Sequence, residues 1–289
     1  MMPKFYLATR QALAIVGQRS GKWSVDLHLE GSAVQCVAVD PYHLNQIYCG
    51  TFERGLWRSR NGGASWEAVG EGITNEAITS VELSATERSK EGSVIYAGTE
   101  PSAIFRSENR GDTWVELSAL RSLPSAPEWS FPPRPHTSHV RCITTDPLVP
   151  GRVFAAIEAG ALIRSLDGGQ TWEDRQPDGP FDTHTLVMHR LEKDRLYSAA
   201  GDGFMRPGNG FVQSDDGGLH WYRPDKGLNH HYLWSVAVNP GNPEAVVISA
   251  AAGPRQAHSL EQAESAIYYR HYTNSPWYQA QVGLPDSKG

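Results

Sequence analysis

Short runs in which apolar and polar residues alternate recur along the chain, separated by Gly, Pro and Asp. Alternation with a period of two between turn residues predicts half-buried β-strands. In the clearest stretch four such strands follow one another: Val140–Thr145, Val153–Ile157, Leu162–Ser165 and Trp172–Asp174. The pattern therefore predicts an all-β chain with almost no helix.

The same order of four strands is predicted in four further stretches, whereas residues 5–29 have room for only three strands. The further predicted strands are Val34–Val39, Gln46–Thr51, Leu56–Ser59 and Trp66–Val69; Ile78–Leu83, Val94–Thr99, Ile104–Ser107 and Trp114–Leu117; Thr185–His189, Arg195–Ala200, Gly210–Ser214 and Trp221–Arg223; and Leu233–Val238, Ala245–Ala250, Ala266–Arg270 and Trp277–Ala280. Repeated groups of four short strands predict a series of small antiparallel sheets.

An eight-residue motif that ends in Trp connects the last two strands of four units, beginning at Ser59, Ser107, Ser165 and Ser214. Its third residue, Asp or Asn, has an oxygen that accepts backbone N–H groups within a turn. The glycine at position five adopts a conformation closed to other residues, and the Trp packs against a neighbouring unit. Because Asn replaces Asp in two copies, we interpret these octets as structural. Their defining positions are Ser59, Asn61, Gly63, Trp66, Ser107, Asn109, Gly111, Trp114, Ser165, Asp167, Gly169, Trp172, Ser214, Asp216, Gly218 and Trp221.

The octets resemble the Asp-box, or BNR, repeat of sialidase-like β-propellers, and the resemblance covers most of the chain. It implies a β-propeller of four-stranded antiparallel blades in one domain, residues 1–289, with units near 4–30, 31–72, 73–120, 136–178, 182–228 and 231–285. The family includes sialidases, xyloglucan-cleaving glycosidases, sortilin-type receptor domains and photosystem-assembly propellers. The scaffold hosts unrelated activities, so the function has to be inferred from the site.

The number of blades is left open by the sequence. Six closing tryptophans mark six units: Trp23, Trp66, Trp114, Trp172, Trp221 and Trp277. The two outer units lack the octet, and the chain ends at residues 284–289, where another inner strand would begin. Either six blades close imperfectly or a seventh has been lost by truncation, and we favour a seven-bladed parent.

Composition narrows the classes of partner. A net charge of −6 disfavours nucleic acid and anionic membranes as main partners. No run of 18 apolar residues is present, so no transmembrane helix is expected. The N-terminus lacks a signal-like cleavage site, and three cysteines provide no disulfide framework. We therefore expect a cytoplasmic protein.

Blade topology places the connections between second and third strands, and those between blades, on the face opposite the octets. We predict a ligand site there, at the mouth of the central channel. The expected ligand-binding residues are His136, His139, Arg141, His184, His230, His231, Tyr232, Trp129, Glu100, Glu158 and Asp202. Histidines and carboxylates in a ring suit a borderline divalent metal such as Zn, Mn, Fe or Ni, held by His139, His184 and His231. The alternative is a solvated polar rim.

Two classes of function fit these observations. Sialidases bring three arginines to their substrate, but Arg58, Arg106 and Arg164 repeat directly before octets, which indicates a structural role. No catalytic residues can be assigned. Our main interpretation is a non-catalytic propeller that binds a protein, peptide or carbohydrate. The alternative is a glycoside hydrolase, or a metal-dependent hydrolase or lyase, on the same scaffold.

Overall fold

A computed structural model of the protein describes residues 4–284. It contains six antiparallel sheets in chain order. The first three sheets comprise β1 (Lys4–Ala8), β2 (Leu13–Arg19) and β3 (Lys22–His28); β4 (Val34–Val39), β5 (Ile47–Thr51), β6 (Leu56–Ser59) and β7 (Glu67–Val69); and β8 (Ala77–Arg88), β9 (Ser93–Glu100), β10 (Ile104–Ser107) and β11 (Val115–Glu116). The last three comprise β12 (Val140–Thr145), β13 (Val153–Ile157) and β14 (Ala161–Ser165); β15 (Thr183–Met188), β16 (Leu196–Ala200) and β17 (Phe211–Ser214); and β18 (Tyr232–Asn239), β19 (Asn242–Ala251), β20 (Ser265–Arg270) and β21 (Tyr278–Gln279).

The predicted all-β propeller architecture is confirmed, and the expected scarcity of helix holds within residues 4–284. One short helix, α1 (Pro254–His258), lies in the connection between β19 and β20. The 3₁₀ turns span Ser118–Ser122, Ala126–Glu128, Gly201–Phe204 and Leu260–Gln262. The ends of the predicted domain, residues 1–3 and 285–289, lie outside the described residues.

Most predicted strands form, and the differences concern the outermost positions. The fourth and fifth sheets have three full strands each, because their outer segments pair only through isolated bridges, Arg164 with Glu173 and Gln213 with Tyr222. The first sheet has three strands, as expected. β8 continues past its predicted end, and Arg88 pairs with Ser93 of β9.

The core lies between neighbouring sheets. Alternate side chains of each strand point toward the preceding sheet and toward the following sheet. The second strands are therefore mainly apolar on both faces, and four of them, β5, β9, β13 and β16, are completely buried. Apolar clusters fill the successive interfaces, with Tyr48 and Phe105 between the second and third sheets as an example. This packing fixes the order of the sheets around the central channel.

The octets form closely similar turns at one end of the sheets. In the copy from Ser165, the Asp167 carboxylate accepts the backbone N–H of Thr171 at 2.8 Å, and Ser165 Oγ accepts that of Gly169 at 2.8 Å. Gly169 has a φ of +88°, in the left-handed region that favours glycine. The predicted acceptor role of position three is confirmed in the other three octets as well, where its oxygen accepts the backbone N–H of position seven.

The inner strands β1, β4, β8, β12, β15 and β18 each pack against the next one in this order and surround the channel. Within residues 4–284, the first and last sheets make no comparable contact with each other. Apolar side chains on their outer faces stay exposed, including Phe5 and Trp23 on the first sheet and Val247 and Tyr278 on the sixth. Six blades are present, and the seven-bladed parent stays a prediction.

No helix among the described residues is long and apolar enough to cross a membrane. Cys36, Cys49 and Cys142 are free thiols.

Candidate functional site at the channel mouth

A β-bulge occurs at the equivalent point of five inner strands, near the end opposite the octets. The pairing register skips one residue in each strand: Gln35 in β4, Thr79 in β8, Arg141 in β12, His184 in β15 and Trp234 in β18. A bulge leaves the skipped residue outside the regular alternation and re-aims its side chain. The last three bulges deliver a cation, an imidazole and an indole to one region, which we call the channel mouth.

The connections at the same end supply carboxyl groups to the channel mouth. Glu158 directly follows β13, Asp182 directly precedes β15, and Glu100 is the last residue of β9. Asp202 lies in the 3₁₀ turn after β16, where it accepts the backbone N–H of Asp182 at 2.9 Å. Strand ends from several blades therefore place four carboxyl groups in one neighbourhood.

Glu158 is paired through one oxygen and open at the other. Its Oε2 accepts a hydrogen bond from Nε2 of His139 at 2.8 Å and lies 3.4 Å from Nε of Arg141. Its Oε1 accepts no hydrogen bond from the described residues and lies 4.0 Å from Nε2 of His184. Burial alone would raise the pKa of Glu158, but the hydrogen bond from His139 and the charges of His139 and Arg141 outweigh it and lower the pKa.

Asp182 has the opposite electrostatic environment. Its Oδ1 accepts the backbone N–H of Ala159 at 2.9 Å, and its Oδ2 lies 3.7 Å from Nε2 of His184. Burial, together with the negative charge of Glu158, raises the pKa of Asp182 to about 6. Gly201 makes room for this carboxyl group, because a Cβ at that position would overlap Asp182 Oδ2.

The His184 ring is buried, and its orientation is fixed by the neighbouring blade. Its Nδ1 lies 2.6 Å from the carbonyl oxygen of Leu233, which only accepts hydrogen bonds, so Nδ1 carries the proton. Burial lowers the pKa of His184, which favours the neutral ring. The unprotonated Nε2 then faces Glu158 and Asp182, and no donor among residues 4–284 reaches it.

Aromatic rings form the open side of the channel mouth. Trp234 is 36% exposed, and its ring centre lies 4.6 Å from that of His184. The guanidinium group of Arg141 also lies over the indole, 4.6 Å from its centroid. The Tyr232 hydroxyl lies 3.2 Å from Nε2 of His258 in α1, which completes this wall.

The Pro-rich connection between the third and fourth sheets, residues 117–139, is bound to the side of the mouth at which Glu100 lies. Arg134 donates two hydrogen bonds to Glu100, at 2.7 and 2.6 Å. Phe131 packs edge-on against His139, with ring centroids 4.7 Å apart, and His139 Nδ1 lies 3.7 Å from Glu100. This segment holds His139 in position from outside the channel.

The structure brings six of the predicted ligand residues to one place. They are His139, Arg141, His184, Tyr232, Glu100 and Glu158. Asp202 supports the site through its Oδ2, which accepts the backbone N–H groups of Phe181 and Asp182.

The remaining predicted ligand residues are placed elsewhere. His230 Nδ1 contacts the Tyr268 hydroxyl at 2.6 Å, and His136 is exposed. Trp129 packs on the core between the third and fourth sheets, with its Nε1 donating to Ser125 Oγ, so the indole anchors the Pro-rich connection. Among the described residues, His231 makes no ion pair with the carboxyl groups of the mouth. His139 and His184 thus meet at Glu158 without the third predicted imidazole.

Sequence reasoning did not single out Asp182, Trp234 and His258 as site residues. From the sequence alone, Trp234 is interpreted as a packing residue between blades, because the regular alternation along β18 gives no sign of the bulge. An alignment of the inner strands at their bulged positions would have grouped Arg141, His184 and Trp234. His258 carries no such signal, since it reaches the mouth through the insertion between β19 and β20.

The chain is similar in sequence to known enzymes, but only over a small part of their length. The chain matches no family model. It is 25% identical over 218 residues to a xyloglucanase of a Paenibacillus species, covering 71% of this chain and 20% of that enzyme. It is 26% identical over 201 residues to the xyloglucanase Xgh74A of Acetivibrio thermocellus, covering 58% and 23%. The chain therefore spans about a fifth of the length of the curated relatives it matches.

Solved structures show the same fold. A GH74 enzyme of Niastella koreensis superposes with a TM-score of 0.69 at 19% identity, over 96% of this chain and 43% of that one. An ancestral GH74 enzyme gives 0.68 at 18% identity, over 88% and 32%. YCF48 bound to D1 peptide gives 0.55 at 15% identity, over 85% and 67%. These similarities establish the β-propeller fold, and the sequence matches favour the glycoside hydrolase alternative over a non-catalytic role.

Proposed function

We propose that this protein is a glycoside hydrolase that acts on a polysaccharide of the xyloglucan type, with Asp182 and Glu158 as its two catalytic carboxyl groups. One observation carries the proposal. Each group keeps an oxygen that accepts no hydrogen bond from residues 4–284. One oxygen of Glu158 and one of Asp182 also lie within 4.8 Å of each other at the channel mouth. Glycoside hydrolysis in most families uses such a pair.

The two environments assign different roles to the carboxyls. Asp182, whose pKa is raised by burial, is the general acid and donates its proton to the oxygen of the glycosidic bond as that bond breaks. Glu158, kept ionised by His139 and Arg141, faces the anomeric carbon through Oε1. Opposite shifts of neighbouring pKa values are the usual sign of an acid paired with an ionised carboxylate.

The separation of the carboxyl groups predicts the stereochemical course. Retaining glycosidases hold the pair about 5 Å apart, whereas inverting enzymes need roughly 6.5–9.5 Å to admit a water molecule. One oxygen of Glu158 and one of Asp182 lie within 4.8 Å of each other, which is closer than the spacing that admits a water molecule, so the pair fits the shorter class. Glu158 then forms the glycosyl ester as the leaving group takes the proton of Asp182. Water next hydrolyses the ester and returns a proton to Asp182.

Trp234 and Arg141 supply a binding surface beside this pair. Trp234 is 36% exposed although Arg141, His184 and His258 contact its ring, so part of the indole is open to a sugar, and the guanidinium provides donors for sugar hydroxyl groups. The similarity to two xyloglucanases supports a polysaccharide as the ligand.

The test is the release of reducing ends from xyloglucan by the purified protein. We expect Asp182→Asn and Glu158→Gln each to lower kcat/KM by at least about 100-fold, since general acid catalysis alone contributes about 10²–10⁴. Asp26→Asn, a change of the same type on the first sheet, should have no effect. The proposal is wrong if the wild-type protein cleaves neither xyloglucan nor other β-glucans, or if the site variants cleave normally.

A recognition role is the second candidate. The observation that favours it is the engagement of Glu158 Oε2 by both His139 and Arg141, which resembles a rigid binding platform as much as a catalytic carboxylate. In that case the wild-type protein should bind xyloglucan oligosaccharides or a peptide without cleaving them. Trp234→Ala should then weaken binding, while Asp182→Asn should leave it unchanged.

A further inference from the structure

We propose that Glu158, Asp182 and His184 form a site for a divalent transition-metal cation of the Zn²⁺ or Mn²⁺ type. One donor atom from each residue lies within 4.8 Å of the other two. An imidazole nitrogen with two carboxylate oxygens is a ligand set for borderline metals. This set shares only His184 with the trio of histidines expected from the sequence.

The Nε2 atom of His184, which has no hydrogen-bond partner among the described residues, is a second and independent observation in favour of the site. The imidazole has no exposed surface. A buried polar atom without a partner is costly, so such an atom normally has an ion, water or protein group opposite it. Metal-bound histidines usually donate their other ring N–H to a carbonyl or carboxylate, as His184 Nδ1 does to Leu233.

The distances allow a cation to be bound after the side chains close around it. His184 Nε2 lies 3.7 Å from Asp182 Oδ2 and 4.0 Å from Glu158 Oε1. Ligands of a tetrahedral metal with bonds of about 2.1 Å are about 3.4 Å apart, so the imidazole has to approach each carboxyl by about half an ångström, and the two carboxyl oxygens, now within 4.8 Å, have to close to the same separation. Three ligands leave at least one coordination position for water or a sugar hydroxyl group.

The charge of the neighbourhood also calls for a cation. The carboxyl groups of Glu100, Glu158 and Asp182 line the channel mouth, and the cationic side chains beside them are Arg134, Arg141 and His139. Both guanidinium groups lie on the far side, since Arg134 pairs with Glu100 and Arg141 approaches Oε2 of Glu158. A divalent cation between Glu158 Oε1 and Asp182 Oδ2 would place positive charge beside two carboxyl oxygens that no arginine contacts.

The consequence for activity rests on the proposed function. The cation would use the two carboxyl groups assigned to hydrolysis, so a bound metal and cleavage exclude each other. Zn²⁺ or Mn²⁺ is therefore expected to inhibit the enzyme in competition with substrate. Metal binding itself is independent of whether the protein cleaves a glycan.

Calorimetric titration of tag-free, chelator-treated protein with ZnCl₂ and MnCl₂, without carbohydrate, tests the site. We expect one cation per chain and at least about 100-fold weaker binding for His184→Gln and Asp182→Asn. His189→Gln is the matched control, since His189 is also buried but lies outside the cluster, with Nε2 bonded to the carbonyl of Asn239. Circular dichroism of each variant verifies folding.

The outcomes separate the two proposals. If neither ion binds the folded wild-type protein, or if His184→Gln and His189→Gln bind equally well, the metal site is disproved whatever the activity. Metal binding without cleavage of any glycan supports the site and removes the proposed function. If the cation binds at the site but xyloglucan is cleaved at an unchanged rate, the claim that a bound metal prevents cleavage is wrong.

Discussion

Arg141 of β12 and Trp234 of β18 meet across the channel, with the guanidinium carbon 4.6 Å from the centre of the indole. The two residues belong to the fourth and sixth sheets, which are separated by the fifth. The contact forms because a bulge in each inner strand directs the skipped side chain toward the channel. The proposed binding surface thus arises from a repeated irregularity of the sheets.

Removal of the Trp234 ring should weaken polysaccharide binding with little loss of stability. Contacts of aromatic faces contribute about 0.5–1.5 kcal/mol beyond simple burial, so Trp234→Ala should raise the Kd for xyloglucan oligosaccharides about 10-fold. Trp23→Ala is the matched control, because Trp23 is also exposed but lies on the first sheet. Equal affinities of the two variants in isothermal titration calorimetry would exclude Trp234 from the binding surface.

Hydrolysis should follow the two carboxyl pKa values. Asp182 acts as an acid only while protonated, and its pKa is about 6, so kcat/KM should fall as the pH rises through 6. Glu158 must be ionised, and its lowered pKa keeps it so down to mildly acidic pH. Initial rates between pH 3.5 and 8 should therefore give a bell-shaped profile. A rate that keeps increasing above pH 7 would contradict the assignment of Asp182.

Stability should show the cost of holding Asp182 in this environment. The folded-state pKa is raised above the unfolded value, so ionisation opposes folding and stability falls as the pH rises from about 4 through 6. Asp182→Asn removes this penalty and should raise Tm at pH 7.5, while the gain should vanish near pH 4. Thermal melts at both pH values measure the difference. A variant that is less stable than the wild type at pH 7.5 would show that hydrogen bonding, rather than charge burial, dominates at this residue.

Gly201 should be needed for the geometry of the site rather than for the fold. A Cβ at Gly201 would overlap Asp182 Oδ2 and lie 3.0 Å from Cε1 of His184, so Gly201→Ala should displace the carboxyl group and reduce kcat/KM by about 10-fold or more. Gly17→Ala is the control, since its Cβ would meet only the side chain of Lys4, at 3.8 Å. Unchanged activity of Gly201→Ala would mean that the position of Asp182 is not critical.

The octets should contribute stability without affecting the site. Asp167→Ala removes the acceptor of the Thr171 N–H and of the Thr171 hydroxyl, at 2.8 and 2.6 Å. Loss of such hydrogen bonds typically costs about 1–3 kcal/mol. Urea unfolding should show the loss, while the Kd for oligosaccharide stays constant. If binding is lost but stability is retained, the octets have to be reinterpreted as part of a site.

The sequence by itself determined the blades and their turns. Strand alternation, the closing tryptophans and the octets are local signals, because each depends on hydrogen bonds and packing within one or two neighbouring units. In the Asp167 turn, for example, every hydrogen-bond partner of the Asp167 carboxylate lies within four residues of it. The end of the blades at which the candidate site lies was also predictable, since blade topology alone sorts the connections onto two ends.

Only the tertiary structure decided which side chains meet at the mouth. His184 and Glu158 belong to different sheets, and the His184 ring is oriented by Leu233 of a third sheet. The bulges that aim Arg141 and Trp234 depend on pairing register with the neighbouring strand, which the alternation of a single strand does not specify. The burial that separates the pKa values of Asp182 and Glu158 exists only after the blades are packed, because desolvation and charge proximity are properties of the assembled channel.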